Sequence, residues 1–326
     1  MKVVDELRGM AGALLLSIGL MAPQALAQDV APAPVEQAAP AAAAQAPAPP
    51  APPAPIPAKP AMWVVKDADT TIYLFGSFHV LKPQVNWYRG PVKAAFERAD
   101  TLVLEMVQPD PATMQTLVSA MGIDKDGPPL TQKLSEDARA KYVAAMEAIK
   151  LPWQSLEMLE PWMAGVTLAV APMESLGYVR EAGVEEVLTK AAKAAGKPVE
   201  GLETAEQQLG YFDGLPEDQQ IAFLNSTVDE MPGLEKEFAT MLNAWSRGRA
   251  RSLGRQMNES LTATPELARI LLTERNQRWS QWIKARLEQP GTVFVAVGAG
   301  HLAGSNSVQA QLRAIGIRSK RLRTGG

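Results

Sequence analysis

The stretch IYLFGSFHV, Ile72 to Val80, is an apolar run that stops at Gly76 and delivers His79 three residues later. The chain has only two histidines, and the second stands in the same setting. VFVAVGAGHL, Val293 to Leu302, breaks its apolar run at Gly298 and reaches His301 three residues on. A short, continuous apolar run bounded by glycine reads as a strand buried on both faces. TLVLEM, Thr101 to Met106, reads the same way and carries Glu105, and the shorter KPVEGLE, Lys197 to Glu203, ends in Glu203. Helical segments separate these strands. The expected fold class is therefore α/β: a central mixed, mostly parallel sheet with helices on both faces and a helical middle region. In such sheets ligands bind beyond the carboxyl ends of the strands. His79, Glu105, Glu203 and His301 all fall at those ends.

Outward from these strands the other elements are readable in order. MWVVKD and TTIYLFGS read as two strands joined by the polar turn Asp67-Ala68-Asp69. Helices are expected over about 91–99, 135–150, 160–170 and 184–195, the last stopped by Gly196-Lys197-Pro198. Thr204-Ala205-Glu206-Gln207 has the spelling of a capping box and opens the next helix. Residues 219–257 read as mostly helical with a break at Pro232-Gly233. Pro265 to Glu288 reads as one long amphipathic helix with Leu267, Ile270, Leu271, Trp279, Trp282 and Ile283 inward. A last helix, 307–314, precedes Gly316 and a basic tail. Trp162 is expected in the core, and the clusters Arg247–Arg251 and Arg318–Arg323 as solvated faces or tails.

Composition narrows the function. Among 326 residues there is no cysteine, so disulfides, thiol catalysis and Cys-based metal sites are excluded. The net charge is -3, without the basic excess of a nucleic-acid binder. MAGALLLSIGLMA, Met10 to Ala22, is too short to span a bilayer and is followed by Ala25-Leu26-Ala27. Residues 1–27 therefore read as a signal peptide, implying an exported, periplasmic or secreted protein with no stable membrane span after cleavage. Residues 28–61, almost all Ala, Pro, Gln and Val, read as a disordered linker, and 62–326 as the folded domain. The sequence leaves the oligomeric state open.

Two imidazoles and a carboxylate suffice for a divalent metal, and nitrogen and oxygen donors suit Zn, Mn, Co or Fe. His79, Glu105 and His301 are the candidate ligands. A metal-bound water is a nucleophile at neutral pH, and Glu203 is a candidate general base. Glu203 also stands where a carboxylate favours the dipole of the following helix. Pattern alone leaves open whether the histidines share one site or are satisfied separately.

Several blocks in order carry a resemblance. They are IYLFGSFHV with Trp87, TLVLE, LEPWMAG (159–165), GVEEVLTKAAKAAGKPVEGLETAEQQL (183–209), ERNQRW (274–279) and VAVGAGHLAG. On these the chain resembles the TraB/PrgY/GumN family, which is similar to the Tiki metalloproteases. The resemblance implies an α/β fold of the EreA/ChaN kind. It also implies a divalent-metal peptidase centre, Mn or Co favoured, on His79, Glu105 and His301, with Arg275 and Asn276 as polar members. Arg275 would hold a substrate carboxylate or an oxyanion, or else make a surface ion pair. Where many members have Gly-x-Asp, this chain has Gly183-Val184-Glu185, which leaves the role of Glu185 open. The expected function is a metal-dependent hydrolase acting on a peptide or small molecule. The alternatives are a binding protein that sequesters metal, haem or peptide, and an esterase.

Overall fold

The computed structural model describes residues 54–261 and 265–322. The expected signal peptide and the expected linker up to residue 53 lie outside the described residues. The described strands are β1 (Ile56–Pro57), β2 (Met62–Lys66), β3 (Thr70–Ser77), β4 (Val85–Asn86), β5 (Thr101–Met106), β6 (Val199–Glu203), β7 (Gly291–Gly298) and β8 (Lys320–Leu322). Six of them form one sheet in the order β6-β5-β7-β3-β2-β8. The four from β6 to β3 run parallel, and β2 and β8 close the far edge antiparallel. The expected mixed, mostly parallel sheet with surrounding helices is what the chain forms.

Alternation along the strands sorts the core into two layers. Phe75, Leu102, Leu104, Phe294 and Ala296 face one way and join the helices 90–98, 161–170, 205–213 and 234–246. Ile72, Leu74, Val103, Val293, Val295 and Val297 face the other, against Trp279, Ile283, Val308 and Leu312 from the helices 275–286 and 308–314. Each of these large side chains contributes on the order of 2 kcal/mol by leaving water. A third cluster, with Tyr142, Met146, Leu168 and Leu224, holds the helical middle region together. Trp162 is buried as expected and stacks on Phe212. Among the described residues no helix is long and apolar enough to cross a membrane.

The topology puts the last parallel strand, β7, between β3 and β5. Gly298 lies opposite Ser77 across one neighbour, and Ala296 opposite Leu104 across the other. Three chain segments far apart in sequence therefore end side by side.

Three features depart from the sequence expectations. First, residues 56–61 are tied to the domain rather than free spacer, although Ile56, Pro57 and Lys59 stay exposed. β1 pairs in parallel with β4, Ala58 is buried, and Lys59 N–H donates to the Ser246 carbonyl at 2.7 Å. Proline tolerates this role because the pairing is a two-residue edge that needs few donors. Second, the basic tail contributes β8, with Arg321 over the Trp63 ring, and charged residues suit an exposed sheet edge. Third, the helix expected over 265–288 contains a π-turn at Arg269–Glu274 between α-helical segments. Four residues overshoot a 3.6-residue turn, so an i, i+4 row drifts around an α-helix. The wider turn absorbs the drift, and Leu267, Leu271 and Arg275 all remain buried on one side. Of the inward residues expected here, Ile270 and Trp282 are half-buried, and Leu272 is buried instead.

The β1 pairing yields a test. Compared with a chain starting at Ala54, one starting at Met62 loses the bonds Ile56 N–H to Gln84 O, Ala58 N–H to Asn86 O and Lys59 N–H to Ser246 O. The expected loss is on the order of 2 kcal/mol, read as a lower urea midpoint at unchanged slope. Equal midpoints would show that the segment contributes nothing.

Candidate active site

The two Gly-x-x-His segments touch through their backbones. A Cβ on Gly76 would lie 3.0 Å from the Cα of Ala299, two residues before His301. The Trp245 indole N–H fixes the same spot by donating to the Gly76 carbonyl at 2.7 Å. Both histidines are buried, but their surroundings differ.

His79 is positioned by the start of the helix Val184–Ala194. Val184 N–H donates to the Phe78 carbonyl at 3.0 Å. A Cβ on Gly183 would fall 2.0 Å from the His79 carbonyl oxygen, so only glycine lets the segments approach this closely. The approach places Glu185 in the first helical turn, with Oε1 2.9 Å from His79 Nδ1. Burial, the largest influence, disfavours the imidazolium, but Glu185 and the charge of Glu105 together outweigh it and His79 is raised above its ordinary value. Burial is likewise the largest influence opposing the Glu185 carboxylate, and His79 with Ser77 and the helix backbone together outweigh it and lower that group. The charge contact is short but poorly aligned. Among the described residues, His79 Nε2, Ser77 Oγ and both Glu185 oxygens are buried without a hydrogen-bond partner. Such atoms in a native interior ask for a ligand or water.

Glu105 shares the face of Val103, two residues back on β5, which turns it toward the helix Arg275–Arg286. Its Oε1 accepts from Gly298 N–H at 2.5 Å and its Oε2 from Arg275 Nη2 at 2.6 Å. Burial pushes the carboxyl upward, and Arg275 and His79 offset only part of that.

Arg275 is fully buried and is the hub of the site. Its Nη2 also reaches Glu203 Oε2 at 2.8 Å, and its Nε reaches Glu203 Oε1 at 3.0 Å. Its Nη1 contacts His301 Nε2 at 3.2 Å and donates to the Leu271 carbonyl at 3.3 Å. Burial opposes the guanidinium charge, but Glu105 and Glu203 more than reverse this and raise its pKa. Glu203 further accepts from Tyr211 Oη, Trp279 Nε1 and Gln208 Nε2, each at 3.1 Å.

Arginine can only donate, so His301 Nε2 is the acceptor in that contact and Nδ1 carries the proton. Nδ1 donates to Asn276 Oδ1 at 2.7 Å, and Asn276 Nδ2 donates to the Asn306 carbonyl at 2.8 Å. The imidazole lies on Trp279 with ring centres 4.4 Å apart.

All the residues singled out from the sequence therefore gather at one end of the sheet, in two groups. Glu105, Glu203, Arg275, Asn276 and His301 form a saturated interior network. His79 and Glu185 stand beside it on a cavity of about 420 Å³ that Glu105 also lines. Sequence reasoning missed Gln208, Tyr211 and Trp279 as partners of Glu203. The first two sit five and eight residues after it on the capping-box helix, a spacing that brings them back over the strand end. Gly183-Val184-Glu185 was the visible signal for the partner of His79.

The TraB/PrgY/gumN family matches residues 61–321. The chain belongs to the TraB/PrgY/gumN family. Its relatives include the uncharacterized protein YbaP of Escherichia coli strain K12 and that of Shigella flexneri. Each is 26% identical over 255 residues, covering 78% of this chain and 92% of the relative. No solved structure matches.

Of the donors that the Tiki resemblance implies for a divalent metal, His301 and Glu105 already have partners in the interior network, while His79 Nε2 has none among the described residues. The ring nitrogens of His301 are engaged by Arg275 and Asn276, and the Arg275 cation stands against Glu105 and Glu203. Among the described residues no three His, Cys, Asp or Glu side chains are grouped to hold a metal ion.

Substitutions at Arg275, with its two carboxylate partners, and at Gly183 test this arrangement. Arg275→Met leaves two buried carboxylates without their cation and is expected to cost about 3–5 kcal/mol. Adding Glu105→Gln and Glu203→Gln should recover part of that loss in denaturant unfolding; no recovery would mean that the charge pairing is not what the arginine supplies. Gly183→Ala is expected to cost about 1–3 kcal/mol by overpacking, and a wild-type melting temperature would contradict the close approach.

Proposed function

We propose that this TraB-family protein is a hydrolase, acting on peptide bonds, in which His79 activates water at the cavity wall. One observation carries the reading. His79 Nε2 is a buried nitrogen with no partner among the described residues, while Nδ1 of the same ring is held 2.9 Å from the Glu185 carboxylate. A carboxylate behind an imidazole orients the ring and stabilises the imidazolium that forms when the ring takes a proton. In the proposed step a water in the cavity gives its proton to His79 Nε2 and attacks the carbonyl carbon of the scissile amide. The carbon–nitrogen bond then breaks, and His79 returns the proton to the leaving nitrogen. Glu105 also faces the cavity, and its upward-shifted carboxyl makes it a second group able to carry a proton.

Glu203 and Arg275 take positioning roles in this reading. The oxygens of Glu203 are already filled by Arg275, Tyr211, Trp279 and Gln208, which leaves a poor general base. Arg275 holds Glu105 and His301 in place from the interior. No step is assigned to a metal: of the implied donors His301 is engaged by Arg275 and Asn276, and Glu105 by Arg275 and Gly298, while His79 Nε2 has no partner among the described residues. The peptide substrate class and export to the periplasm rest on the family resemblance and on the reading of residues 1–27.

The test is turnover of a quenched fluorescent peptide library by the purified full chain, chelator-treated and then supplied in turn with Mn, Co, Zn or Fe. Metal-free cleavage is expected. His79→Gln should lower it by about 100- to 10,000-fold, and Glu185→Gln by a smaller factor, with melting temperatures near wild type. Cleavage that appears only with one of the metals would overturn His79 as the activating base. Peptides that bind without being cut would make the site a binding pocket instead.

A further inference from the structure

We infer that this cavity is a groove for an extended acidic ligand, an Asp- or Glu-bearing peptide segment whose carboxylates are met by Arg180 and Lys193. The inference rests on the cavity being the substrate site, and it adds the charge of what binds there. The helix Val184–Ala194 forms one wall, presenting Glu185, Glu186, Thr189, Lys190 and Lys193 along one face at helical spacing. The end of β5 and the residues after it form the other, with Val107 left 44% exposed. From Glu185 to Lys193 the helix rises about 12 Å, the length of about three to four extended residues. His79 lies at one end of this groove and Lys193 at the other.

The charges lining it do not cancel. Glu105 shares the Arg275 guanidinium with Glu203, and Glu185 faces the His79 imidazole. Glu186 is paired with Lys190 at 3.1 Å. Every carboxylate on the wall therefore faces a basic group. Arg180 and Lys193 also line the groove, and neither meets a carboxylate among the described residues. Arg180 precedes the helix, and its carbonyl accepts from Gly183 N–H at 2.8 Å, which places its backbone beside that of His79. One cation without a carboxylate thus stands near the reactive end and one at the far end, with apolar surface from Val107 between the strand and the solvent. An acidic peptide supplies the missing anions in an extended chain. A neutral or basic peptide leaves both cations unmatched.

The experiment uses the full chain carrying His79→Gln with Glu185→Gln, so that binding is read without turnover and without an unpaired carboxylate left in the groove. Fluorescein-labelled Ala-Glu-Ala-Asp and its isosteric partner Ala-Gln-Ala-Asn are compared by anisotropy. The acidic peptide is expected to bind at least about tenfold tighter at low salt, with the preference shrinking as salt rises. Arg180→Gln with Lys193→Gln should abolish the preference, and Lys193→Glu alone, at an exposed position, should reverse it at that end. Equal binding of the two peptides, or a preference that survives in both variants, overturns the inference. Cleavage by the wild-type chain is measured separately with the same pair. An acidic preference without cleavage upholds the charged groove and removes the hydrolase reading. Cleavage indifferent to charge overturns the groove and keeps the hydrolase.

Discussion

A fully buried guanidinium holds the carboxyl end of the sheet together. Burying an unpaired arginine costs several kcal/mol, so Arg275 is tolerated only where carboxylates surround it. Glu105 comes from β5 and Glu203 from β6, while the arginine comes from the helix that packs under the sheet. Through His301 the same guanidinium also reaches the turn after β7. One side chain thus joins three neighbouring strand ends and the helix beneath them. Such a network specifies register as well as adding attraction, because a shift of one residue on β5 or β6 would send its carboxylate to the wrong face. The π-turn before Arg275 fits this reading, since it keeps the arginine on the buried side of its helix.

Backbone proximity is the second constraint, and it is set by glycine. Gly76 lets the turn after β7 come against β3, and Gly183 lets a helix begin on the carbonyl of His79. Neither glycine needs a left-handed conformation. Each is required because a neighbouring chain segment occupies the space of a side chain. The consequence for chemistry is direct. Glu185 can reach His79 only because the helix begins there, and the shortness of that contact depends on the absence of a Cβ two residues earlier.

Much of this was legible in the amino-acid sequence, for identifiable reasons. The strands carrying His79, Glu105 and His301 are continuous apolar runs, and burial on both faces leaves no other composition possible. Their ends were therefore visible, and with them the gathering of the candidate residues. The capping box at Thr204–Gln207 was visible because it is a local pattern, and it forms as spelled. What the sequence hid is non-local. Nothing in ERNQRW states that its arginine is buried, since a charged residue on an amphipathic helix usually faces water. The packing of Ala58 and the pairing of Ile56–Pro57 were hidden by proline-rich composition, which argues against secondary structure yet allows a short edge. The partners of Glu203 were hidden because tyrosine and tryptophan read first as core.

The two histidines share a spelling but not a fate, and the difference lies in the path of the chain beyond each glycine. After Gly298 the chain makes a tight 3-10 turn over Ala299–Leu302, which carries His301 inward onto Trp279 and gives both its nitrogens to the interior network. After Gly76 the strand runs on through Ser77, and His79 meets a helix start on one side and open volume on the other. An imidazole with both nitrogens engaged is a structural group, because taking a proton at Nε2 would mean breaking its bond from the arginine. An imidazole with one nitrogen held by a carboxylate and the other facing a cavity is free to exchange a proton with whatever enters. The repeated motif is thus one solution to leaving a buried strand, used once to hold the arginine and once to present a reactive nitrogen.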